Sequence, residues 1–527
     1  MQNRQITIDG LTIDKAYLDD RSLCLASALV SIGVNEGDVI AVMLHNRQAY
    51  LEIIMACRRL GVSYCPINWH FTAGEVQYIL EDSGAKVLLT EARLATACAQ
   101  ANTLELPLIC VGAASNGSTN PAALPEPEAL PGTPSLPSSA RLIDYDAWIG
   151  AHEQYQGPLV SPRGHMAYTS GTTGRPKGVV RYPTPMQQLQ AQQALLAQII
   201  EHTYGLTSGC RALLPAPIYH SAPSLFCQMA LQLCEHFVVH DRFNPQALLH
   251  DIERFRIEVV YLVPIMYVRL LRLDPEIKAR YDISSLRFVA STGSPCPPDI
   301  KKQIIDWFGP IINETYASSE TGLITLASAD DALRKPGTAG KPVPSARVEI
   351  MDESGTVCKP YQVGYIYVRN TAYADFTYRN NPDARQAIER DGLICLGDIG
   401  YLDEDGYLFV CDREADMVLS GGVNIYPAEI EHTIMNYPGV ADCAVIGLPD
   451  AEYGQRLLGI IELAEPGAQG QPELQTDVLV DWLAQHLAKF KIPREFMLMQ
   501  TLPRDPNGKI SRKKLKAQIL ASGNIAV

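Results

Sequence analysis

The alternation of two periodicities restricts this chain more than any other feature. VIAVML (Val39–Leu44) is a continuous apolar run of strand length. QAYLEIIMACRRL follows with helical spacing, and Gly61 stands where a C-capping glycine belongs. EVQYILEDSG then sets Val76, Ile79 and Leu80 on one helix face ahead of the strand-like KVLL. Buried strands alternating with amphipathic helices predict a parallel α/β sheet. The pattern stops at a Pro/Ser/Ala-rich stretch, Asn120–Ala140, read as an exposed excursion without core-forming residues. It resumes with VVYLV (Val259–Val263) before Pro264, and with RFVAST before GSPCPP and the helix-like DIKKQIIDWFG. Beyond about Gly337, glycine turns separate short strands, which predicts a β-rich subdomain, and a smaller α+β unit begins near Asp416.

At 527 residues, two or more domains are expected. A net charge of −14 argues against general nucleic-acid binding, which needs lysines and arginines to neutralise phosphates; KISRKKLK is a local basic patch only. No apolar stretch is long enough to span a bilayer, and MQNRQITIDG does not read as a signal peptide, so no membrane insertion is expected. The 13 cysteines include no C-x-x-C pair, which suggests reduced thiols and a cytoplasmic location. His236 and His240 in HFVVH read as packed strand histidines in preference to metal ligands.

Five polar motifs occur where strands should end, and open α/β sheets bind ligands at those ends. In AYTSGTTGRPKGVV, Ser170, Thr172 and Thr173 offer hydroxyls, Gly171 and Gly174 free the backbone, and Lys177 brings a charge. The spacing is not that of a Walker A loop. NETYASSETG (Asn313–Gly322) joins an aromatic, two serines and a carboxylate. LGDIGYLDEDGYL holds Asp398 between glycines, DREADMVLSGGVNIYPAEIE joins Arg413 to Gly421–Gly422, and LPRDPNGKISRKKL presents Lys509 after a turn. Taken singly, each has a plain alternative: a solvated lysine, a helix-capping glutamate, a turn aspartate, a core tyrosine.

The ordered set resembles the adenylate-forming superfamily of acyl-CoA synthetases, luciferases and nonribosomal-peptide adenylation domains, over almost the whole chain. It looks like an acyl-CoA ligase, with an amide-forming member of the coronafacate ligase type as the alternative. The resemblance implies a large N-terminal domain of parallel α/β sheets with a β-rich subdomain (1–412), a hinge at 413–415, and a small mobile α+β C-terminal domain (416–527). It implies an enzyme using ATP and Mg²⁺ on a small-molecule carboxylic acid, forming an acyl-adenylate and pyrophosphate. The acceptor is then coenzyme A or an amine such as an amino acid.

Carried over position by position, the resemblance gives Thr169, Ser170, Gly171, Thr172, Thr173, Gly174 and Lys177 to the β- and γ-phosphates. Ser319 falls near the α-phosphate and Glu320 on Mg²⁺. Tyr316 stacks on adenine against Gly293–Ser294–Pro295, and Asp398 meets the ribose with Arg413 nearby. Lys509 is the catalytic lysine and Gly421–Gly422 flank the acceptor tunnel. His220 sits beside the reacting carboxylate, or equally is a hydrogen-bonded core histidine. Tyr219, Phe226, Met266 and Tyr267 are expected to line an apolar pocket for a ring-bearing or medium-chain acid. Ala415 occupies the pivot place often held by Asp or Lys, so a charged pivot is not essential. Three further departures weaken the coenzyme A reading: Leu396 before Gly397–Asp398, Tyr365 where glutamate is frequent, and Ile492 between Lys491 and Arg494 where some coenzyme A ligases carry another base. A non-catalytic nucleotide sensor on the same fold predicts loss of Lys509, Glu320 or Asp398, and all three are present.

Overall fold

A computed structural model describes residues 4–8, 10–112, 142–169, 175–420, 423–450, 453–464, 475–505 and 508–521. The Asn120–Ala140 excursion, Ser170–Gly174 and Gly421–Gly422 lie outside them.

The predicted alternation becomes two sheets. The five-stranded one is entirely parallel, in the order Ser63–Pro66, Val39–Met43, Leu88–Glu91, Leu108–Val111, Leu142–Asp144. Strand Val39–Met43 is buried along its whole length because helices cover both faces, and so it carries no polar alternation. In KVLL the strand begins only at Leu88, two residues after the stretch opens at Lys86. Helix Gln48–Leu60 ends at Gly61 in the left-handed conformation, φ 62°.

The nine-stranded sheet has a parallel centre made of Ile312–Ser318, Phe288–Ser291, Val259–Leu262, Arg211–Leu214, His236–Val239 and Gln5–Ile8. Antiparallel strands close its margins. His236 bonds Thr7 Oγ1 at 2.8 Å and His240 bonds Asp251 at 2.9 Å, as packed histidines should. Among the described residues no cluster of three or more His, Cys, Asp or Glu side chains forms a metal site. No described helix is long and apolar enough to cross a membrane.

The β-rich region is an antiparallel sheet built around Gly364–Asn370 and Leu393–Leu402, with Leu408–Arg413 paired to the latter. A separate three-stranded sheet sets Lys177–Arg181 between Ala167–Thr169 and Phe376–Tyr378. In the C-terminal region, strand Val440–Asp450 alternates between two cores. Cys443 and Val445 face helices Pro427–Met435 and Thr476–Ala484, while Ala444 and Ile446 face helix Arg512–Ala521.

Gly61 also tests the packing between the five-stranded sheet and its surroundings. A Cβ there would lie 2.8 Å from Val160 and 3.1 Å from the Ser161 carbonyl. Gly61→Ala should lower stability by about 1–3 kcal/mol through strain and crowding, read as a lower urea midpoint; an unchanged midpoint would show that the turn relaxes freely.

Candidate active site

Asp398 is buried at 5% exposure near the middle of strand Leu393–Leu402. It accepts from the Tyr316 hydroxyl at 2.6 Å and from Arg413 Nε at 3.0 Å. Strand register produces the second contact, since Asp398 and Arg413 are direct cross-strand partners. Burial raises the Tyr316 pKa well above the usual phenol range and Asp398 adds to the shift, while Asp398 raises that of Arg413. A carboxyl group that accepts from two donors retains lone pairs for further hydroxyls. Tyr316 and the turn Gly293–Pro295 line the same cleft, the turn entered with Gly293 at φ 104° and tied by Thr292 Oγ1 to the Thr315 carbonyl at 2.9 Å.

The second cluster surrounds Glu320, also buried. It accepts from Thr169 Oγ1 at 3.0 Å and the Tyr378 hydroxyl at 3.1 Å. Lys177 Nζ lies 5.1 Å over the Tyr378 ring. Thr169 and Lys177 are cross-strand partners, so the intervening loop is pinned at its base beside Glu320. Ser319 Oγ meets Ser221 Oγ at 2.7 Å, joining this cluster to helix Ser221–Leu233.

Sequence reasoning missed Arg181. Its guanidinium donates to the carbonyls of Ser319 (2.7 Å), Glu320 (3.0 Å) and Ala374 (2.9 Å), over the Tyr373 ring at 5.1 Å. The only local signal is an arginine ending the apolar strand that follows the loop. Tyr378 was missed as well, because it reaches the site through strand pairing across almost two hundred residues of chain.

Lys509 comes from the C-terminal region. Asp505 and Lys509 close a turn, with Asp505 N donating to the Lys509 carbonyl at 2.8 Å and Lys509 N to Asp505 Oδ1 at 2.9 Å. The Lys509 side chain opens into the cleft, yet the walls of both regions surround it. That desolvation and the Arg413 charge lower its pKa, against Asp505, Glu320 and Asp398. His220 occupies the N-cap position of helix Ser221–Leu233 without a side-chain capping bond; its Nε2 is buried, has no hydrogen-bond partner among the described residues and lies 3.8 Å from Asp505 Oδ2. Burial, then Lys509 and His70, press its pKa well below the usual value, so the imidazole is neutral.

The expected acyl wall needs correction. Tyr219 lines the cleft, but Phe226, Met266 and Tyr267 are core residues; Leu225, Tyr261, Ile265 and Val268 line it instead. A helix turns about 100° per residue, so choosing Phe226 over Leu225 selects the wrong face. Phe226 packs against Phe237, Tyr204 and Tyr261. Asn46, also missed, pins the loop that carries Tyr219 and His220. Its amide donates to the carbonyls of Ala216 (2.8 Å) and His240 (2.9 Å) and accepts from Ile218 N at 2.8 Å.

These groups share one continuous cleft of about 3170 Å³ between the large region and the C-terminal region. A buried carboxylate with spare lone pairs faces one end, a hydroxyl- and lysine-bearing loop base faces the other, and Lys509 from the C-terminal region lies between. An α/β protein with that layout is built to hold a nucleotide against a second substrate. The chain belongs to the AMP-binding enzyme family, whose model matches residues 8–375, with the family's C-terminal domain matching 429–509. It is therefore an adenylate-forming enzyme and an AMP-forming ligase. It is 31% identical over 513 residues to feruloyl-CoA synthase of Amycolatopsis sp., covering 96% of this chain and 94% of that one. It is 29% identical over 526 residues to 2-succinylbenzoate–CoA ligase of Bacillus subtilis, covering 98% and 96%. Among solved structures, o-succinylbenzoate CoA synthetase of B. subtilis with its acyl-adenylate superposes with a TM-score of 0.78 at 28% identity, covering 98% and 95%. An amide bond synthetase of Marinactinospora thermotolerans shares the fold, with a TM-score of 0.80 at 23% identity and coverage of 98% and 97%.

Asn46→Ala should raise the KM for the acid and slow acid-dependent pyrophosphate exchange about 10- to 100-fold, leaving the KM for ATP near its original value. In a His220→Ala background most of that loss should vanish. Equal rises in both KM values would mark Asn46 as merely structural.

Proposed function

We propose that the protein activates a small-molecule carboxylic acid with ATP and then passes the acyl group to coenzyme A. In the first step a carboxylate oxygen bonds to the α-phosphorus and pyrophosphate leaves. In the second, the thiol sulfur attacks the acyl carbon and AMP leaves. The single observation that carries this reading is the convergence of Glu320, Asp398, Arg413 and Lys509, from four separated motifs, on one cleft.

Joining two anions demands charge neutralisation and alignment more than a covalent nucleophile. In this reading Asp398 holds the ribose hydroxyls, and Tyr316 packs on adenine against Gly293–Pro295. Thr169, Lys177 and the Ser170–Gly174 loop grip the outer phosphates, with Ser319 at the inner one. Arg181, clamping the Ser319 and Glu320 carbonyls, keeps that floor rigid. Mg²⁺, held by Glu320 beside Thr169, would supply charge neutralisation on the phosphates. One carboxylate plus a hydroxyl suits a cation that prefers phosphate and water as its remaining ligands. Lys509 meets the carboxylate and α-phosphate where negative charge builds. Neutral His220 leaves the carboxylate approach free of a competing cation.

The names of the relatives favour coenzyme A as acceptor. An amine acceptor such as an amino acid is the second reading, supported by Leu396, Tyr365 and Ile492, which depart from the pattern frequent in coenzyme A ligases; Tyr365 bonds Glu414 at 2.9 Å beside the proposed pivot at 413–415. Gly421–Gly422 would flank the acceptor path in either case. The 13 cysteines are free, in keeping with a cytoplasmic setting.

Incubation with ATP, Mg²⁺ and a panel of acids, with coenzyme A and mixed amino acids offered in parallel, should give a thioester by mass. An amide formed without coenzyme A would overturn that acceptor, and no acid-dependent pyrophosphate exchange would overturn the ligase reading. Lys509→Ala should cut exchange by at least 100-fold with ATP binding retained. Because the Lys509 pKa is lowered, its charge is lost as pH rises at a lower pH than for a free lysine. Exchange should therefore fall on the alkaline side below the ordinary lysine range. No acid limb from His220 should appear near pH 6.5, because that group protonates only well below it.

A further inference from the structure

The acyl arm of the cleft is not a hydrocarbon slot. Leu225, Ile265 and Val268 supply apolar wall. Two phenols, Tyr219 and Tyr261, line the same cleft, and their hydroxyls are buried and have no hydrogen-bond partner among the described residues. Tyr261 is fully buried, and its ring is wedged edge-on between Tyr204 at 6.1 Å and Phe226 at 5.6 Å, so packing holds it in place. Gln228 lies about 12 Å along the helix axis from His220. Its amide nitrogen donates to the Tyr64 hydroxyl at 2.9 Å, leaving the amide oxygen without a donor among the described residues.

A buried phenol left unpaired bears the cost of losing its water without a replacement, and nearly all buried polar groups in folded proteins find partners. Burial also raises the Tyr261 pKa, so the hydroxyl remains a donor across the physiological range. A phenylalanine would fill the same space without that cost.

Resting on the ligase reading above, we propose that the acid carries an oxygen substituent on its ring, remote from the carboxylate, and that Tyr261 donates a hydrogen bond to it. Such a site gains on the oxygenated acid and rejects its hydrocarbon isostere, because the isostere leaves the phenol unpaired. Tyr219, next to His220 in the chain, would serve an oxygen nearer the carboxylate. The substrate class is then an oxygenated aromatic or cyclic acid, and straight-chain fatty acids are poor substrates.

The test compares size-matched acids by acid-dependent pyrophosphate exchange in the full-length enzyme: 4-hydroxycinnamate against 4-methylcinnamate, and 4-hydroxybenzoate against 4-methylbenzoate. At least one hydroxy acid should exceed its methyl partner tenfold or more in kcat/KM. Tyr261→Phe should collapse that ratio at least tenfold, by losing on the hydroxy acid while holding or gaining on the methyl acid, with the KM for ATP unchanged. Tyr219→Phe, a second isosteric change, should leave the ratio for these para-substituted pairs largely intact. A ratio that survives Tyr261→Phe overturns the assignment of that hydroxyl. Exchange confined to methyl or straight-chain acids overturns the substrate class while the ligase reading stands. Absence of exchange with every acid overturns both.

Discussion

The buried carboxylate of Asp398 is the point on which the rest of the cleft depends. Removing a carboxylate from water costs several kcal/mol unless donors replace the lost solvent. Here the donors come from different parts of the molecule: Tyr316 from the nine-stranded sheet and Arg413 from the strand that leads into the C-terminal region. One side chain thus ties the cleft end of the large sheet to the β-rich sheet and to the start of the small domain. The residue that we propose holds the ribose is also the joint that sets the spacing of the surrounding walls.

Glu320 repeats this logic at the opposite end. Its partners, Thr169 and Tyr378, belong to two strands that flank the one bearing Lys177. Arg181 continues that middle strand and fastens it to the Ser319–Glu320 backbone. The small three-stranded sheet is therefore a brace between the glycine-rich loop and the acidic motif. A loop of small residues has little to pack, so its base has to be positioned from outside.

What could be read from the sequence follows from how each residue reaches the site. Thr169, Lys177, Ser319, Glu320, Asp398 and Lys509 sit in compact motifs, and the structure brings them to one cleft. Parallel strands were equally readable, since Val39–Met43 and Val259–Leu262 are apolar without interruption. Asn46, Arg181 and Tyr378 carry no such mark. Each acts through pairing or loop contacts between chain segments that are distant in sequence, and a local pattern holds no record of them. Phe226, Met266 and Tyr267 failed differently. They belong to the right segments, but a helix separates adjacent residues by about 100°, and aromatic character alone does not say which side meets the cleft.

A few contacts outside the site hold the C-terminal region over the cleft. Lys514 pairs with Glu75 at 2.7 Å with both side chains partly in solvent, and Arg272 donates to the Ala441 carbonyl at 2.7 Å. Gly508 packs against Ile265, where a Cβ would sit 3.0 Å from its Cγ2. Exposed ion pairs contribute about 0–1 kcal/mol, so the Lys514–Glu75 pair guides the C-terminal region without locking it. The cores on the two faces of strand Val440–Asp450 are instead deeply buried, so the small domain keeps its own integrity wherever it sits. Strong internal packing beside a weak, polar contact is what a domain needs if it delivers Lys509 for one half-reaction and then withdraws it. The rotation that we propose at 413–415 would remove the lysine and expose the acyl-adenylate to its acceptor.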